Sequence, residues 1–269
     1  MSDVFAAGAL AGRVALVTGG GTNLGRAAAA ELGRCGAGVV ICGRREEVLS
    51  DAAGELGCDY LAGDIRSDAR VLISGCLERH GRLDVLVNNA GGQYFVPAEG
   101  ISAKGWRAVQ RLNVDGTLAM MRAAQELAMG PQGSGTILNI TVSPHHGMPG
   151  MAHTGAARAA VESLTCELAG EWAPTCVIAL AIGRFATESL RKYPAAVLEG
   201  AARSVPLGRL GAVEEFAWLV AALGSQALAG ALSGSTVTLD GACDNWWGPW
   251  PPDGLADAEG AVPTEQRAG

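Results

Sequence analysis

Aromatic and charged residues are scarce in this 269-residue chain, where aromatic residues make up 5% and charged residues 17%. Its seven cysteines are scattered without a CxxC pair, and only four histidines are present. These spacings argue against a zinc site or a disulfide framework, so no metal site is expected. Isolated thiols are typical of a reducing compartment, and we therefore expect a cytoplasmic protein.

An excess of positive charge, a long apolar run and a secretory leader pattern are also absent. The formal net charge is −7, which argues against a nucleic-acid surface because such surfaces are basic. No run of 18 apolar residues is present, so no membrane span is expected. No basic segment followed by an apolar stretch opens the sequence, so no secretory signal is expected either.

Glycine and aliphatic residues are abundant, with 39 glycines and 49% hydrophobic residues. Apolar runs alternate with helical patterns, of which the clearest are Val109–Met121 and Ala156–Leu168. The strand candidates are Val14–Thr18, Gly38–Cys42, Asp59–Ala62, Val85–Asn88, Thr136–Ile140, Cys176–Ala181 and Ser235–Leu239. This alternation predicts a single α/β domain of the Rossmann type, with a doubly wound, seven-stranded parallel sheet and helices on both faces.

A glycine-rich turn, Thr18–Gly25, joins the first strand to the first helix. Glycines let the backbone approach an anion, and the free N–H groups of a helix N-terminus attract phosphate. A purely structural tight turn is the alternative. As a phosphate loop, the turn would bind a dinucleotide through Gly19, Gly21, Thr22, Asn23 and Leu24.

Two arginines, Arg44 and Arg45, end the second strand. In a dinucleotide fold this strand end faces the adenosine ribose, where an acid bonds the 2′-hydroxyl of NAD and an arginine accommodates the 2′-phosphate of NADP. No acid follows the strand before Glu46. A solvated helix start is the alternative, and otherwise the pair predicts NADP(H) as the cofactor.

Together these features resemble the short-chain dehydrogenase/reductase family over nearly the whole chain. The motifs in family order are the glycine-rich turn, Gly63-Asp64-Ile65, Asn88-Asn89-Ala90-Gly91, Leu112-Asn113-Val114 and Leu239-Asp240-Gly241. The resemblance implies further cofactor contacts along the adenine, the ribose and the nicotinamide: Asp64, Ile65, Asn89, Ala90, Gly91, Arg158, Gly183 and Thr187. The family usually has glycine where Asn23 stands, but asparagine tolerates the left-handed conformation better than other residues with a side chain.

The resemblance fails at the catalytic residues of the family, which are a serine, a tyrosine and a lysine four residues after the tyrosine. Thr141 stands at the serine position, Thr154 at the tyrosine and Arg158 at the lysine, while Asn113 keeps the family's helix asparagine. A threonine cannot ionise near neutral pH, whereas a nearby cation can lower the pKa of a tyrosine so that it acts as an acid. Arg158 keeps a positive charge beside the ribose. The cofactor cradle is therefore retained while the usual proton donor is lost.

The stretch Gly147–Arg158 narrows the resemblance to the branch of peroxisomal trans-2-enoyl-CoA reductase and, more distantly, the 2,4-dienoyl-CoA reductases. That branch often lacks the tyrosine and reduces double bonds conjugated to a thioester. Hydride goes to the β-carbon, and hydroxyl or cationic donors can stabilise the enolate oxygen. Ser143 stands where dienoyl-CoA reductases place a displaced tyrosine, which makes it a candidate oxygen contact.

His145 and His146 lie on the loop after the fifth strand, at the end of the sheet where doubly wound folds bind ligands. Histidine exchanges protons near neutral pH, so either could replace the missing acid; the alternative is two loop histidines without a catalytic task. Tyr94 is a lesser candidate acid, and His153 is expected to be only a contact at a helix N-terminus.

The remaining expectations concern a lid, a tail and the assembly. Residues 188–206 form the expected substrate lid, whose cations either meet coenzyme A phosphates or are an ordinary solvated face.

We divide the chain into a domain, 1–244, and a Trp- and Pro-rich extension, 245–269, with a mobile end. The tryptophans of this extension could cover their own domain, the substrate pocket or a neighbouring subunit. The resemblance implies a homotetramer through long helices at about Trp106–Met129 and Thr154–Trp172.

Three functions remain open from the sequence. The first is an NADPH-dependent reductase of an activated double bond in a small-molecule enone or enoyl thioester, such as a coenzyme A thioester. The second is oxidoreduction of a terpenoid or polyketide alcohol or aldehyde, with histidine replacing tyrosine. The third is a fold without redox chemistry, either a lyase, isomerase or cyclase, or a non-catalytic subunit. Arg44, Arg45 and the Asn89–Gly91 turn favour NADP binding, whereas the lost tyrosine and lysine favour changed chemistry.

Overall fold

The computed structural model describes residues 5–143, 145, 147, 150–188 and 195–245, without the side chains of residues 195–198. The strands in this part of the chain are β1 Val14–Thr18, β2 Gly38–Gly43, β3 Asp59–Ala62, β4 Val85–Asn88, β5 Thr136–Val142, β6 Cys176–Ile182 and β7 Thr236–Leu239. They form one seven-stranded sheet in the order β3-β2-β1-β4-β5-β6-β7, and each neighbouring pair is parallel. The predicted Rossmann-type fold is confirmed.

Helices fill the crossovers between the strands. They are α1 Asn23–Arg34, α2 Glu46–Leu56, α3 Ala69–His80, α4 Ala103–Gln110, α5 Gly116–Ala124, α6 Gly130–Gln132, α7 Ala152–Glu171, α8 Ala195–Arg203, α9 Val213–Leu223 and α10 Gln226–Leu232. Between α4 and α6 the helical run widens into π turns at Arg111–Asp115 and Gln125–Met129. Among the described residues, no single helix has both the length and the apolar character needed to cross a membrane. The pair α9 and α10 meets these criteria only when the two helices are taken together, and they are bent by 94° relative to each other.

The strands next to the site are longer than predicted. β5 continues to Val142 and β6 to Ile182, because these two residues still pair with each other beyond the predicted strand ends. The extra pairing brings Ser143 and Gly183, which follow the two strands directly, to the same edge of the sheet. The predicted Trp- and Pro-rich extension lies outside the described residues from position 246 onward, so its packing and its mobile end stay predictions.

Apolar side chains cover both faces of the sheet, as the strands of a parallel sheet require. On one face Val17 and Ile178 belong to the same buried cluster as Phe216 of α9. On the other face Leu86 shares a cluster with Met120 of α5. All five are fully buried, so truncating Phe216 to alanine would cost about 3–5 kcal/mol of stability. This packed core fixes the carboxyl ends of the strands, where the candidate site lies.

Candidate functional site

A groove of about 200 Å³ lies at the carboxyl ends of β1, β2, β3 and β4. Doubly wound sheets bind their ligands at this edge. The walls of the groove include most of the residues predicted to bind the dinucleotide: Gly19, Gly21, Thr22, Arg44, Arg45, Asp64, Ile65, Ala90 and Gly91. The structure therefore brings together side chains and turns from four separate strand ends into one cradle.

The glycine-rich loop has the close contacts that explain its composition. A Cβ atom added at Gly25 would lie 2.3 Å from the carbonyl oxygen of Gly19, and one added at Gly20 would lie 2.6 Å from Ile41 Cγ2. Asn23 adopts the left-handed conformation, with φ +47°, as expected for an asparagine at a glycine position. Leu24 packs against the core beneath the loop. Gly20 and Gly25 therefore let the loop pack tightly at the edge of the groove.

Asn89 holds the turn after β4 against the end of β1. Its side chain donates a hydrogen bond to the carbonyl oxygen of Thr18 over 2.9 Å. The Thr18 hydroxyl accepts from the backbone N–H groups of Asn89 and Ala90, at 3.0 and 2.9 Å, and donates to Val87. Asn89 thus positions Ala90 and Gly91 at the groove by holding the backbone. Thr18 was not singled out from the sequence as part of this scaffold.

Exposed arginines and a carboxylate paired with an arginine form the end of the groove where the adenosine of a dinucleotide is expected. Arg44 and Arg45 are exposed. Asp64 pairs with Arg66, whose hydrogen bonds, with a smaller contribution from Arg44, lower the pKa of the carboxyl to about 2 in spite of the opposing effect of burial. Asp64 is therefore ionised at neutral pH. Arg66 was missed in the sequence, although its place two residues after Asp64 could have indicated it.

Asn113 lies in the first π turn, fully buried. Its amide nitrogen donates to the carbonyl oxygens of Gly92 and Val109, at 2.8 and 2.9 Å. Its oxygen accepts from the N–H of Gly92 over 3.2 Å. The asparagine therefore fixes the chain directly after Gly91, and π turns of this kind are frequent at functional sites.

Arg158 is the buried cation of the site, with 8% of its surface exposed. Its Nη1 donates to the carbonyl oxygen of Ile140 over 2.6 Å, and a Cβ atom added at Gly91 would lie 2.4 Å from its Nη2. Burial lowers the pKa of Arg158 to about 10, although the nearby Glu162 acts in the opposite direction. The guanidinium therefore stays charged at neutral pH and lies against Gly91, in the turn after β4.

Unpaired polar atoms concentrate where β5 meets the start of α7. In the described part of the chain, all but one of the buried side-chain N and O atoms without a hydrogen-bond partner belong to Thr141, His153, Thr154 and Arg158. Both threonines and the histidine are fully buried. Leaving a buried polar atom unpaired costs about 1–3 kcal/mol, so this cluster is the part of the site best suited to a polar ligand atom. Both ring nitrogens of His153 are among these unpaired atoms, although the sequence predicted for His153 only a contact at a helix N-terminus.

Ser143 and Gly183 both lie against Asp240. The Ser143 hydroxyl donates to Asp240, which also accepts from the backbone N–H of Asp244 over 2.8 Å. A Cβ atom added at Gly183 would lie 2.6 Å from the Cβ of Asp240. Thr187, half-buried, follows on the same segment. Ser143 therefore has an acidic partner that the sequence did not indicate.

His145 bridges two carboxylates. Its Nδ1 contacts Asp244, and its Nε2 lies 3.0 Å from Glu162 of α7. Burial alone would lower the pKa of His145, but the hydrogen bonds and charges of Asp244 and Glu162 outweigh it and raise the pKa above its ordinary value. His146, the other predicted proton donor, lies outside the described residues, as do the lid residues 189–194. No group of three potential metal ligands occurs among the described side chains.

Three similar proteins indicate what kind of protein has this arrangement. A probable 2,4-dienoyl-CoA reductase of Bacillus subtilis is 34% identical over 256 residues, covering 89% of this chain and 98% of that protein. A peroxisomal 2,4-dienoyl-CoA reductase of Pongo abelii is 34% identical over 270 residues, covering 94% and 91%. The solved structure of a citronellol catabolism dehydrogenase of Pseudomonas aeruginosa has a TM-score of 0.81 and 36% identity, covering 91% and 100%.

The fold and the groove define a dinucleotide-binding α/β protein of the doubly wound class. A family profile described as Enoyl-(Acyl carrier protein) reductase matches residues 20–242. The chain belongs to the short-chain dehydrogenase/reductase family and is an oxidoreductase. Its likeness to proteins named 2,4-dienoyl-CoA reductases confirms the branch that the stretch before Arg158 indicated.

Proposed function

We propose that this protein reduces a carbon–carbon double bond conjugated to a thioester, with NADPH as cofactor and a coenzyme A thioester as substrate. The names of the two 2,4-dienoyl-CoA reductases support the reaction type. The description of the matching family also names an enoyl-thioester reduction.

The observation that carries the proposal is a set of buried donors without partners beside an intact cofactor groove. Thr141 and Thr154 have unpaired hydroxyls, and Arg158 has an unpaired Nε. Gly91, in the wall of the groove, lies against the guanidinium of Arg158. Carbonyl reduction requires an acid that protonates the carbonyl oxygen, and the threonine at the tyrosine position is no such acid. Reduction of a conjugated double bond requires only that the thioester oxygen be stabilised while it carries negative charge.

The chemistry assigns a separate role to each group. When bound, NADPH would supply a hydride to the β-carbon of the double bond. As the electron pair moves to the thioester oxygen, the Thr141 and Thr154 hydroxyls and the Arg158 guanidinium donate hydrogen bonds to that oxygen or to the ribose. A proton then adds to the α-carbon and restores the carbonyl. Donors arranged in advance in a dry site are worth more than donors in water.

The residues of the groove fit a dinucleotide with a 2′-phosphate. Added Cβ atoms would clash at Gly20 and Gly25, so the loop has no room for side chains at these positions, and its backbone would face the pyrophosphate. Arg44 and Arg45 are exposed at the rim, where they would pair with the 2′-phosphate. Asp64, held by Arg66, would border the adenine.

The proton source is proposed to be His145 or His146, and Ser143 is proposed only as an oxygen contact. The Ser143 hydroxyl donates its single hydrogen to Asp240, so it would have to turn away from Asp240 to donate to the substrate oxygen. His145 carries a raised pKa and would release a proton from its bridge between Asp244 and Glu162. A cytoplasmic homotetramer completes the proposal, with α7 and the α4–α5 run as the subunit contacts.

A second candidate is the oxidoreduction of an alcohol or aldehyde. The structural similarity to a protein named citronellol catabolism dehydrogenase favours this candidate over a fold without redox chemistry. In that reaction a group other than Thr154 must transfer a proton to the carbonyl oxygen, which gives His145 or His146 an essential role. A fold without redox chemistry would instead bind NADPH and not consume it.

One set of assays separates these functions. Purified protein is titrated with NADPH and NADH by fluorescence, then mixed in single turnover with an enoyl thioester, a dienoyl thioester, an enone and a terpenoid aldehyde. We expect NADPH oxidation with a conjugated thioester and none with the aldehyde. Oxidation with the aldehyde alone would replace the proposal by the second candidate. Binding of NADPH without oxidation by any of the four compounds would favour non-redox chemistry.

A further inference from the structure

Glu162 of α7 lies between two cations. Its carboxylate pairs with the imidazole of His145, whose Nε2 atom is 3.0 Å from Oε2. Arg158 stands one helical turn earlier, and residues four apart on a helix are neighbours on one face. The charge of Glu162 acts on the guanidinium of Arg158, where it opposes the lowering of the pKa by burial. Among the described side chains, Glu162 forms its ion pair with His145 and none with Arg158.

The guanidinium of Arg158 has a buried donor that it does not use. Its Nη1 donates to the carbonyl oxygen of Ile140, and its Nη2 lies against Gly91. Its Nε is buried without a hydrogen-bond partner. Because an unpaired buried donor is unfavourable, the guanidinium would gain by turning this N–H towards a carboxylate. The position of Arg158 against Gly91 therefore depends on how strongly Glu162 is held elsewhere.

We propose that Glu162 is a positioning residue that links the charge of His145 to the position of Arg158, so that NADPH binds more tightly when His145 is protonated. This inference rests on the proposed binding of NADPH, with Arg158 beside the ribose. The protonated imidazole holds the carboxylate of Glu162, and Arg158 stays against Gly91. When the imidazole is neutral, the carboxylate attracts the guanidinium away from the turn after β4.

The contacts of His145 explain why Glu162 is the partner that is released. Asp244 contacts Nδ1 of the ring, accepts from the backbone N–H of His145 and is itself held by Asp240 through its own N–H. A neutral imidazole carries hydrogen on only one nitrogen, so one carboxylate must lose its hydrogen bond. The two bonds to Asp244 favour hydrogen on Nδ1, which turns a lone pair towards Glu162.

The other charges on the elements that pack against α7 point to solvent. They lie in α4 and in the first π turn. Their side chains are exposed and form no ion pair among the described residues: Lys104, Arg107, Arg111 and Asp115. The carboxylate of Glu162 is therefore shared between His145 and Arg158.

The test is a double-mutant cycle that measures NADPH binding by fluorescence titration in the absence of thioester. The variants are His145→Asn, Glu162→Gln and the two combined, each titrated from about pH 6 upward until the affinity is constant. Glutamine keeps the shape of glutamate and removes its charge. His80→Asn, which removes a similar pair between a histidine and Asp59, is the control. All variants meet the same ligand, so the titration of its own phosphate near ~pH 6 affects them equally.

We expect His145→Asn to weaken NADPH binding about fivefold at the low end of this pH range, which is the lower limit of typical couplings between sites. Wild type and His80→Asn should approach the same weaker affinity as the pH rises. In Glu162→Gln the affinity should follow only the titration of the ligand. Adding His145→Asn to Glu162→Gln should change nothing, because no carboxylate remains to attract Arg158.

Two results would overturn the inference. Additive effects of the two substitutions would show that His145 acts on the ligand directly. A pH dependence in Glu162→Gln equal to that of wild type would show that the carboxylate transmits nothing. If the coupling is present but no thioester is reduced, the inference stands and the proposed reaction fails. If thioesters are reduced without the coupling, the reaction stands and the inference fails.

Discussion

The side-chain oxygen of Asn23 accepts a hydrogen bond from the backbone N–H of Glu188 over 3.1 Å. Asn23 belongs to the glycine-rich loop and Glu188 to the segment after β6, so this bond joins the two sides of the site. The glycine that the family usually has at this position could not make it. Asn23 therefore combines a left-handed backbone with a side-chain contact to the segment after β6.

Two variants separate the backbone role of Asn23 from its side-chain role. Asn23→Ala removes the bond to Glu188 and places a Cβ-bearing residue without a polar side chain at φ +47°, a conformation that costs about 1–2 kcal/mol. Asn23→Gly removes the same bond without that strain. We expect Asn23→Ala to be the less stable variant in urea unfolding. Equal stabilities would show that the left-handed conformation is not retained.

The proposed preference for NADPH rests on Arg44 and Arg45. A hydrogen bond to a charged group contributes about 1.5–3 kcal/mol, so the double change to alanine should lower NADPH affinity about tenfold or more. NADH affinity should stay nearly constant, because NADH lacks the 2′-phosphate. Arg70→Ala, which removes an exposed arginine of α3, is the control. Fluorescence titrations that give equal losses for both cofactors would refute the assignment.

Arg158 is expected to stabilise charge on the substrate oxygen or to hold the ribose. Arg158→Met removes the buried cation and should lower single-turnover NADPH oxidation by roughly 100- to 1,000-fold. Arg158→Lys restores a charge and should recover part of the rate. Because Arg158 also holds the carbonyl oxygen of Ile140, circular dichroism and NADPH binding check that each variant is folded. Equal rates in the methionine and lysine variants would exclude an electrostatic role.

The His145 bridge predicts stability that depends on pH. A histidine whose pKa is raised on folding contributes fully below its unfolded value, about 6.5, and loses this contribution as the pH rises through the folded value. The difference in unfolding free energy between wild type and His145→Asn should therefore shrink as the pH is raised from below about 6.5 through the folded value. Since the side chain is 37% exposed, the effect should stay below about 1 kcal/mol.

Urea unfolding across this pH range measures the contribution of the bridge. Glu162→Gln removes one of the two carboxylate partners of His145 and should give an intermediate pH dependence. A difference between wild type and His145→Asn that does not change with pH would show that the imidazolium is not the stabilising form.

The predicted tetramer uses the solvent-facing alanines of α7. Ala156 and Ala159 are exposed, and such small side chains allow close helix packing. Ala159→Arg should therefore dissociate the assembly, whereas Ala30→Arg, at an exposed position of α1, should not. Light scattering at micromolar concentration measures both. A monomeric wild-type protein, or a tetramer that persists in Ala159→Arg, would contradict the predicted contact.

The sheet and the cofactor cradle could be predicted because they leave local signals. Parallel strands buried on both faces are continuous apolar runs, and the glycine-rich loop can be recognised from a few consecutive residues. The partners of Ser143 and His145 could not be predicted, because Asp240 and Asp244 are 97 and 99 residues away in sequence. The Asn89–Thr18 bond spans 71 residues. Such contacts are created by the topology and have no local pattern.

The burial of Thr154 has a consequence for engineering this site. Thr154 is fully enclosed, and four residues later the Arg158 guanidinium lies against Gly91. A tyrosine placed at 154 would need room that the enclosed threonine does not have, and a lysine at 158 would leave the Ile140 carbonyl without its guanidinium donor. Restoring the family's usual tyrosine and lysine would therefore require further changes around both positions.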